Sequence, residues 1–172
     1  MRRFATALSI VTFSISLLST AAFAKVNFRN VSATVTNGEF RTLGLSQSVH
    51  GGLWVTFTET GLGSNAGTNY LVTADASATY VCANNGGNTP NAANKETFSG
   101  PVSGSATFTS DGNGRVSGAI AVAPLDAGAF ACPPGQGLHL YSVSYTNVIL
   151  QDTTNGVTYA LEGTFSRTFP LP

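Results

Sequence analysis

Charge is what this sequence has least of. Only 9% of the 172 residues are charged, and eight Lys/Arg balance eight Asp/Glu. A nucleic-acid binder needs a basic stripe or patch to release counterions, and no such cluster occurs, so no nucleic-acid partner is expected. Disorder is excluded by the opposite balance, because 42% hydrophobic residues and zero net charge are not the composition of a solvated chain. Cysteine and histidine are also scarce, at two each. That leaves no CxxC framework and no H-E-x-x-H helix, so neither a metal nor a cofactor is expected. No G-x-S-x-G elbow is present either. What is abundant is glycine, 19 residues, together with Ser, Thr and Asn, over a length that suits one domain.

The only long apolar stretch is N-terminal. Arg2 and Arg3 precede Phe4–Leu18, and Ala22-Phe23-Ala24 supplies a small-x-small cleavage pattern. A membrane-spanning helix needs about 20 consecutive apolar residues, more than this stretch provides. Residues 1–24 therefore read as a secretory signal, leaving 25–172 as a single domain with six basic and eight acidic groups and no transmembrane helix. Secretion, or retention in the periplasm or at the cell surface, follows as the expected location. In such an oxidising compartment Cys82 and Cys132 are expected to form a disulfide.

Downstream of the signal the hydrophobic period is two almost throughout, which is the strand period. Val31, Ala33 and Val35 alternate with Ser and Thr, and Asn37-Gly38 reads as a hairpin-type turn. Phe40–Val49 is a weaker strand. Leu53, Val55 and Phe57 share a face, with Trp54, Thr56 and Thr58 opposite. A long strand carries Tyr70, Val72, Ala74, Ala76, Ala78, Tyr80 and Cys82 on one side. The next alternates Phe98, Gly100, Val102, Gly104, Ala106 and Phe108 with hydroxyl residues, and Pro101 places it at an edge or a bulge. Val116–Val122, Leu138–Gln151 and Val157–Phe165 complete the series. Small side chains on several strands predict sheets that approach closely in places. The fold class is all-β, an antiparallel β-sandwich of about eight strands, immunoglobulin-like in architecture. A closed β-barrel, holding a ligand or crossing a membrane with strands, is the alternative.

Candidate sites follow from that layout. Trp54 could stack on a sugar ring with Thr56 and Thr58 donating hydrogen bonds, or it could be covered like most large aromatics. Paired-carboxylate chemistry needs two acids close together; Glu59 and Asp75 lie on neighbouring expected strands, with nothing to single them out. His50 and His139 are far apart in sequence. Asp111-Gly112-Asn113-Gly114 and Asp152–Gly156 superficially suit calcium but are explained as hairpin turns. Two long polar loops adjoin the cysteines. One contains Asn84, Asn85 and Asn88, and the other, starting at Cys132, contains Gln136. A disulfide would pin both at one end of the sheets, where binding loops commonly reside.

From Tyr80 onward the chain resembles a group of small exported bacterial proteins without established activity. The residues that carry this are Thr79-Tyr80-Val81-Cys82, Asn84-Asn85-Gly86-Gly87-Asn88, Thr107-Phe108-Thr109-Ser110, Cys132-Pro133-Pro134-Gly135 and Gly163-Thr164-Phe165. The resemblance implies a secreted β domain and transfers no catalytic residue. The immunoglobulin signature is absent, since Trp54 precedes both cysteines. Pilus subunits share the Thr/Gly/Ala-rich alternation but carry their bridge nearer the N-terminus. The expectation is a secreted, non-catalytic protein that binds a glycan or a cell-surface protein through its cysteine-linked loops. A structural surface-layer or fibre subunit and a small secreted hydrolase are the alternatives.

Overall fold

The computed structural model describes residues 25–37, 39–42, 45–48, 50–84 and 94–171. Among them are ten strands: β1 (Asn27–Val35), β2 (Glu39–Thr42), β3 (Leu45–Ser48), β4 (Leu53–Thr60), β5 (Gly67–Ala83), β6 (Lys95–Thr109), β7 (Arg115–Val122), β8 (Gly137–Asp152), β9 (Val157–Leu161) and β10 (Phe165–Thr168). They form a small sheet in the order β1-β4-β7 and a large one in the order β10-β8-β5-β6, with β9 also on β8. Strands β2 and β3 pair only with each other. Every pairing is antiparallel. The two larger sheets pack face to face as a sandwich, not a closed barrel.

Three expectations change in detail. The weak strand at Phe40–Val49 is two short strands, β2 and β3. The last strand is broken at Gly163, whose φ of 105° ends β9's run before β10. The partner of β1 is β4 rather than the next strand in the chain, so the Asn37-Gly38 region does not fold β1 back onto β2. Gly38 itself lies outside the described residues. The edge position read from Pro101 holds, since β6 ends the large sheet.

The inward faces are those the alternation marks. Leu53, Val55 and Phe57 of β4 and Val116, Ile120 and Val122 of β7 bury against Tyr70, Val72, Ala74, Ala76 and Ala78 of β5 and Val143, Tyr145, Val148 and Leu150 of β8. Glycine sets the spacing. A Cβ on Gly118 would stand 2.8 Å from Phe57 and 2.9 Å from Phe108, so its absence seats two rings that also pack against Tyr70. At Gly104 a Cβ would strike the Ala121 carbonyl, which is how β6 and β7 close one flank of the sandwich.

Three bulges shift the register, one in β1 and two in β8. One of those in β8 skips Tyr141 between the Thr79–Ser142 and Tyr80–Leu140 pairs, and the other two bulges decide which side chains face inward in the core. In β1 the register shifts between Arg29 and Ser32, with Asn30 at φ 51°. In β8 it shifts opposite Thr73–Asp75, with Asn147 at φ 51°. An inserted residue changes the parity of everything after it. Tyr145 faces the core, so regular alternation would send Asn147, Ile149 and Gln151 inward. The bulge instead turns Val148, Leu150 and Asp152 into the core and leaves Ile149 exposed. Asn147 tolerates the left-handed backbone and is anchored by donating from Nδ2 to Asp75 Oδ2 at 2.7 Å.

Candidate functional site

One end of the large sheet collects several of the candidate residues. Cys82, in the last turns of β5, pairs with Leu138 at the start of β8 and is bonded to Cys132 across a sequence separation of 50, with a Cα–Cα distance of 5.4 Å. The loop between β7 and β8 is fastened at two points. Cys132 is one, and the other is the Leu125 carbonyl, which accepts from the Tyr80 hydroxyl at 2.8 Å. Asn84 lies two residues after Cys82 and is exposed; Asn85 and Asn88 lie outside the described residues. Gln136 precedes β8, and its Oε1 is buried with no hydrogen-bond partner among the described residues.

Beside this end is a cleft of about 540 Å³ lined by Asn37, His50, Leu138, His139, Leu140, Phe169, Pro170 and Leu171. Both histidines of the chain therefore face one cleft, one arriving from the approach to β4 and the other from β8. His50 Nδ1 lies 3.3 Å from the Asn37 carbonyl, which can only accept, so Nδ1 is the donor in this contact. The His50 ring also packs on Phe169, with centroids 4.3 Å apart. Leu138 is 43% exposed, and Lys95 Nζ of β6 sits 5.3 Å over the Tyr141 ring of β8. The cleft lining among the described residues holds no carboxylate, ammonium or guanidinium group. Among the described residues no group of three His, Cys, Asp or Glu is placed to hold a metal ion.

The Trp54 group is placed elsewhere. Trp54, Thr56 and Thr58 lie on the outward side of the small sheet, where Thr56 bonds Ser32 at 2.8 Å and Thr58 bonds Ser117 at 3.4 Å. Trp54 is only 3% exposed, so the covered placement is the one found and its ring is not an open stacking platform. Those hydroxyls form ladders between strands.

The acids also regroup. Asp75 is exposed on the outer face, bonded to Asn147, whereas Glu59 is fully buried on the inner face of β4. They do not form a pair. The acid that acts on Glu59 is Asp152, also 0% exposed and in register with Tyr70 between β5 and β8, which sequence reading placed only in a turn. Tyr70 joins them, donating from its hydroxyl to Glu59 Oε2 at 2.6 Å. Asp152 does cap the turn as expected: Oδ1 accepts from the Thr154 and Asn155 backbone N–H groups, each at 2.9 Å, and Oδ2 accepts from Asn155 Nδ2 at 2.6 Å. Burial, opposed by the Tyr70 hydrogen bond and reinforced by Asp152, pushes the Glu59 carboxyl up to about 7. Burial and the Glu59 contact hold the Tyr70 phenol well above its ordinary range. Two carboxyls with no exposed surface cannot meet a sugar, so this cluster acts within the core.

The Asp111 loop is a turn: its Oδ1 accepts from the Asn113 and Arg115 backbone N–H groups, both at 2.9 Å. A second cleft, about 680 Å³, opens on the flank where β1 faces β9 and β10. Comparison with known protein families, with curated proteins and with solved structures finds no match. Among the described residues no helix is long and apolar enough to cross a membrane.

Proposed function

We propose that this is an exported, non-catalytic binding protein whose disulfide end engages a neutral glycan. The observation that carries this reading is the convergence, beside the Cys82–Cys132 bridge, of both histidines, Phe169 and Asn37 around one cleft whose described lining carries no acidic, Lys or Arg side chain. An aromatic ring and leucines suit the C–H faces of a sugar, while Asn37 and the imidazoles suit its hydroxyls. The bridge restrains the loops, which lowers the ordering cost of binding. The signal-like residues 1–24 and the disulfide support export. The test uses immobilised β-1,4-linked oligosaccharides of glucose, xylose and N-acetylglucosamine. Saturable binding that weakens at least tenfold in a Gln136→Ala/Leu138→Ala/His139→Ala variant is expected. Unchanged binding in that variant, or none by the native protein, overturns the reading.

A second reading, assembly of copies through strand edges, rests on β6. It ends the large sheet, and from Thr97 to Thr109 it carries no charged residue of the kind that blunts natural edges; only Pro101 interrupts it. Size-exclusion chromatography with light scattering separates the two, since a monomer at micromolar concentration removes the assembly reading.

A further inference from the structure

The buried acids carry an inference independent of the proposed binding role. Glu59 belongs to the small sheet, whereas Tyr70 and Asp152, in register with each other, belong to the large one, so the hydrogen bond from Tyr70 to Glu59 ties the two layers together beside Asp152. Oxygen Oε2 of Glu59 is satisfied by the Tyr70 hydroxyl. Oxygen Oε1 is buried, and among the described residues no donor reaches it. Its neighbour Asp152 is itself an acceptor whose two oxygens already take three N–H groups. Two acceptors side by side without a cation bond only if one of them carries a proton. An ionised Glu59 would leave a charged oxygen in the core with neither donor nor counter-ion, the most costly state available to it.

We propose that Glu59 is a neutral carboxylic acid donating from Oε1 to Asp152, so that one proton locks the two sheets together and alkalinity unlocks them. Among the described residues the surroundings offer no substitute for that proton. On either side of Glu59 in the small sheet, β1 places Phe28 and β7 places Val116 in register. Arg29 and Arg115 register with Thr58 and Thr60, on the other face of the sheet, and are exposed. From the large sheet the titratable groups are Tyr70 and Asp152, with Tyr159 of β9 against Phe28 beyond them. The aromatic cluster of Phe28, Phe57, Tyr70 and Phe108 closes around the acids and keeps their dielectric low.

The consequence runs against ordinary acid denaturation, in which protonating paired carboxylates weakens a fold. Glu59 lies at about 7 in the folded protein against 4.5 for an unperturbed glutamate. Its folded value is raised, so its stabilisation is complete below the unfolded value and is lost as pH climbs through the folded one. Between about pH 5 and pH 8.5 the folding equilibrium constant should fall roughly 70-fold through this group alone.

Guanidinium unfolding of the native protein and of Glu59→Gln at those two pH values isolates the effect. Glutamine keeps the shape, and its amide donates to Asp152 at any pH. The native protein should lose stability on going alkaline by that factor more than the variant does; equal losses overturn the proposal. Should the variant fail to fold, ¹³C-carboxyl NMR of the native protein answers the same question. A Glu59 carbon resonance still in its protonated form at pH 6 supports the lock, and an ionised one there refutes it.

Discussion

Opening the Cys82–Cys132 bridge is the perturbation whose size can be worked out most directly. The bridge closes 50 residues, a span that contains all of β6 and β7. On the chain-entropy account a loop of that length restrains the unfolded state by about 4 kcal/mol at 25 °C. For a domain of this size each kcal/mol moves the midpoint by about 2–4 °C, so reduction should lower Tm by about 8–16 °C. The fold itself should survive, because the inter-strand pairing and the aromatic cluster do not involve sulfur. Scanning calorimetry with and without a thiol reductant, with thiol content counted by mass spectrometry after alkylation, gives the number. Reduction is preferable to Cys82→Ala, which would add a cavity at a buried position. A fully reduced protein that melts within 2 °C of the oxidised one would show that the loop is held by its other fastenings, such as Tyr80 on the Leu125 carbonyl, and would refute the staple.

Other expectations follow from single contacts. Gly118→Val should destabilise by about 1–3 kcal/mol in denaturant titration, because its Cβ would press on the packed rings of Phe57 and Phe108 and force them to shift. Tyr145→Phe removes the hydroxyl that donates to the Gly51 carbonyl at 2.8 Å and leaves that carbonyl without its donor, for a loss of about 1–3 kcal/mol with little change in m-value. At Asn147, whose φ is 51°, Val should cost about 2 kcal/mol or more, whereas Gly should be tolerated with loss only of the bond to Asp75. A far-UV spectrum for each variant checks that the β signature persists.

Much of the fold is legible in the sequence because a half-buried strand writes its faces in alternate residues. Tyr70 to Cys82 and Phe98 to Phe108 were readable as strands for that reason, and Pro101 marked an edge because it cannot donate to two neighbours. The bridge was legible from the compartment implied by residues 1–24. Two features were not readable. The bulge at Asn147 depends on one residue entering the left-handed region within an otherwise regular strand, and nothing in Tyr145-Thr146-Asn147-Val148 announces it. Missing that bulge hides the inward turn of Asp152, and with it the acid that acts on Glu59. The second is long-range convergence. His50 and His139 share a cleft only because β4 and β8 sit in sheets that pack together, and pairing of β1 with β4 rather than with its chain neighbour is a property of topology, not of local pattern. Trp54 illustrates the limit of face assignment: it does lie opposite Leu53 and Val55, yet the outward side of a sheet is not always a wet one.

The most direct test of the binding account is a ¹⁵N–¹H correlation spectrum of residues 25–172 titrated with the β-1,4-linked oligosaccharides. Progressive, saturable shifts should concentrate at Asn37, His50, the 138–141 segment and Phe169, with the Asp152–Gly156 turn unaffected. Shifts centred on that turn or on the β1–β9 flank, or a spectrum unmoved by any of the sugars, would contradict it.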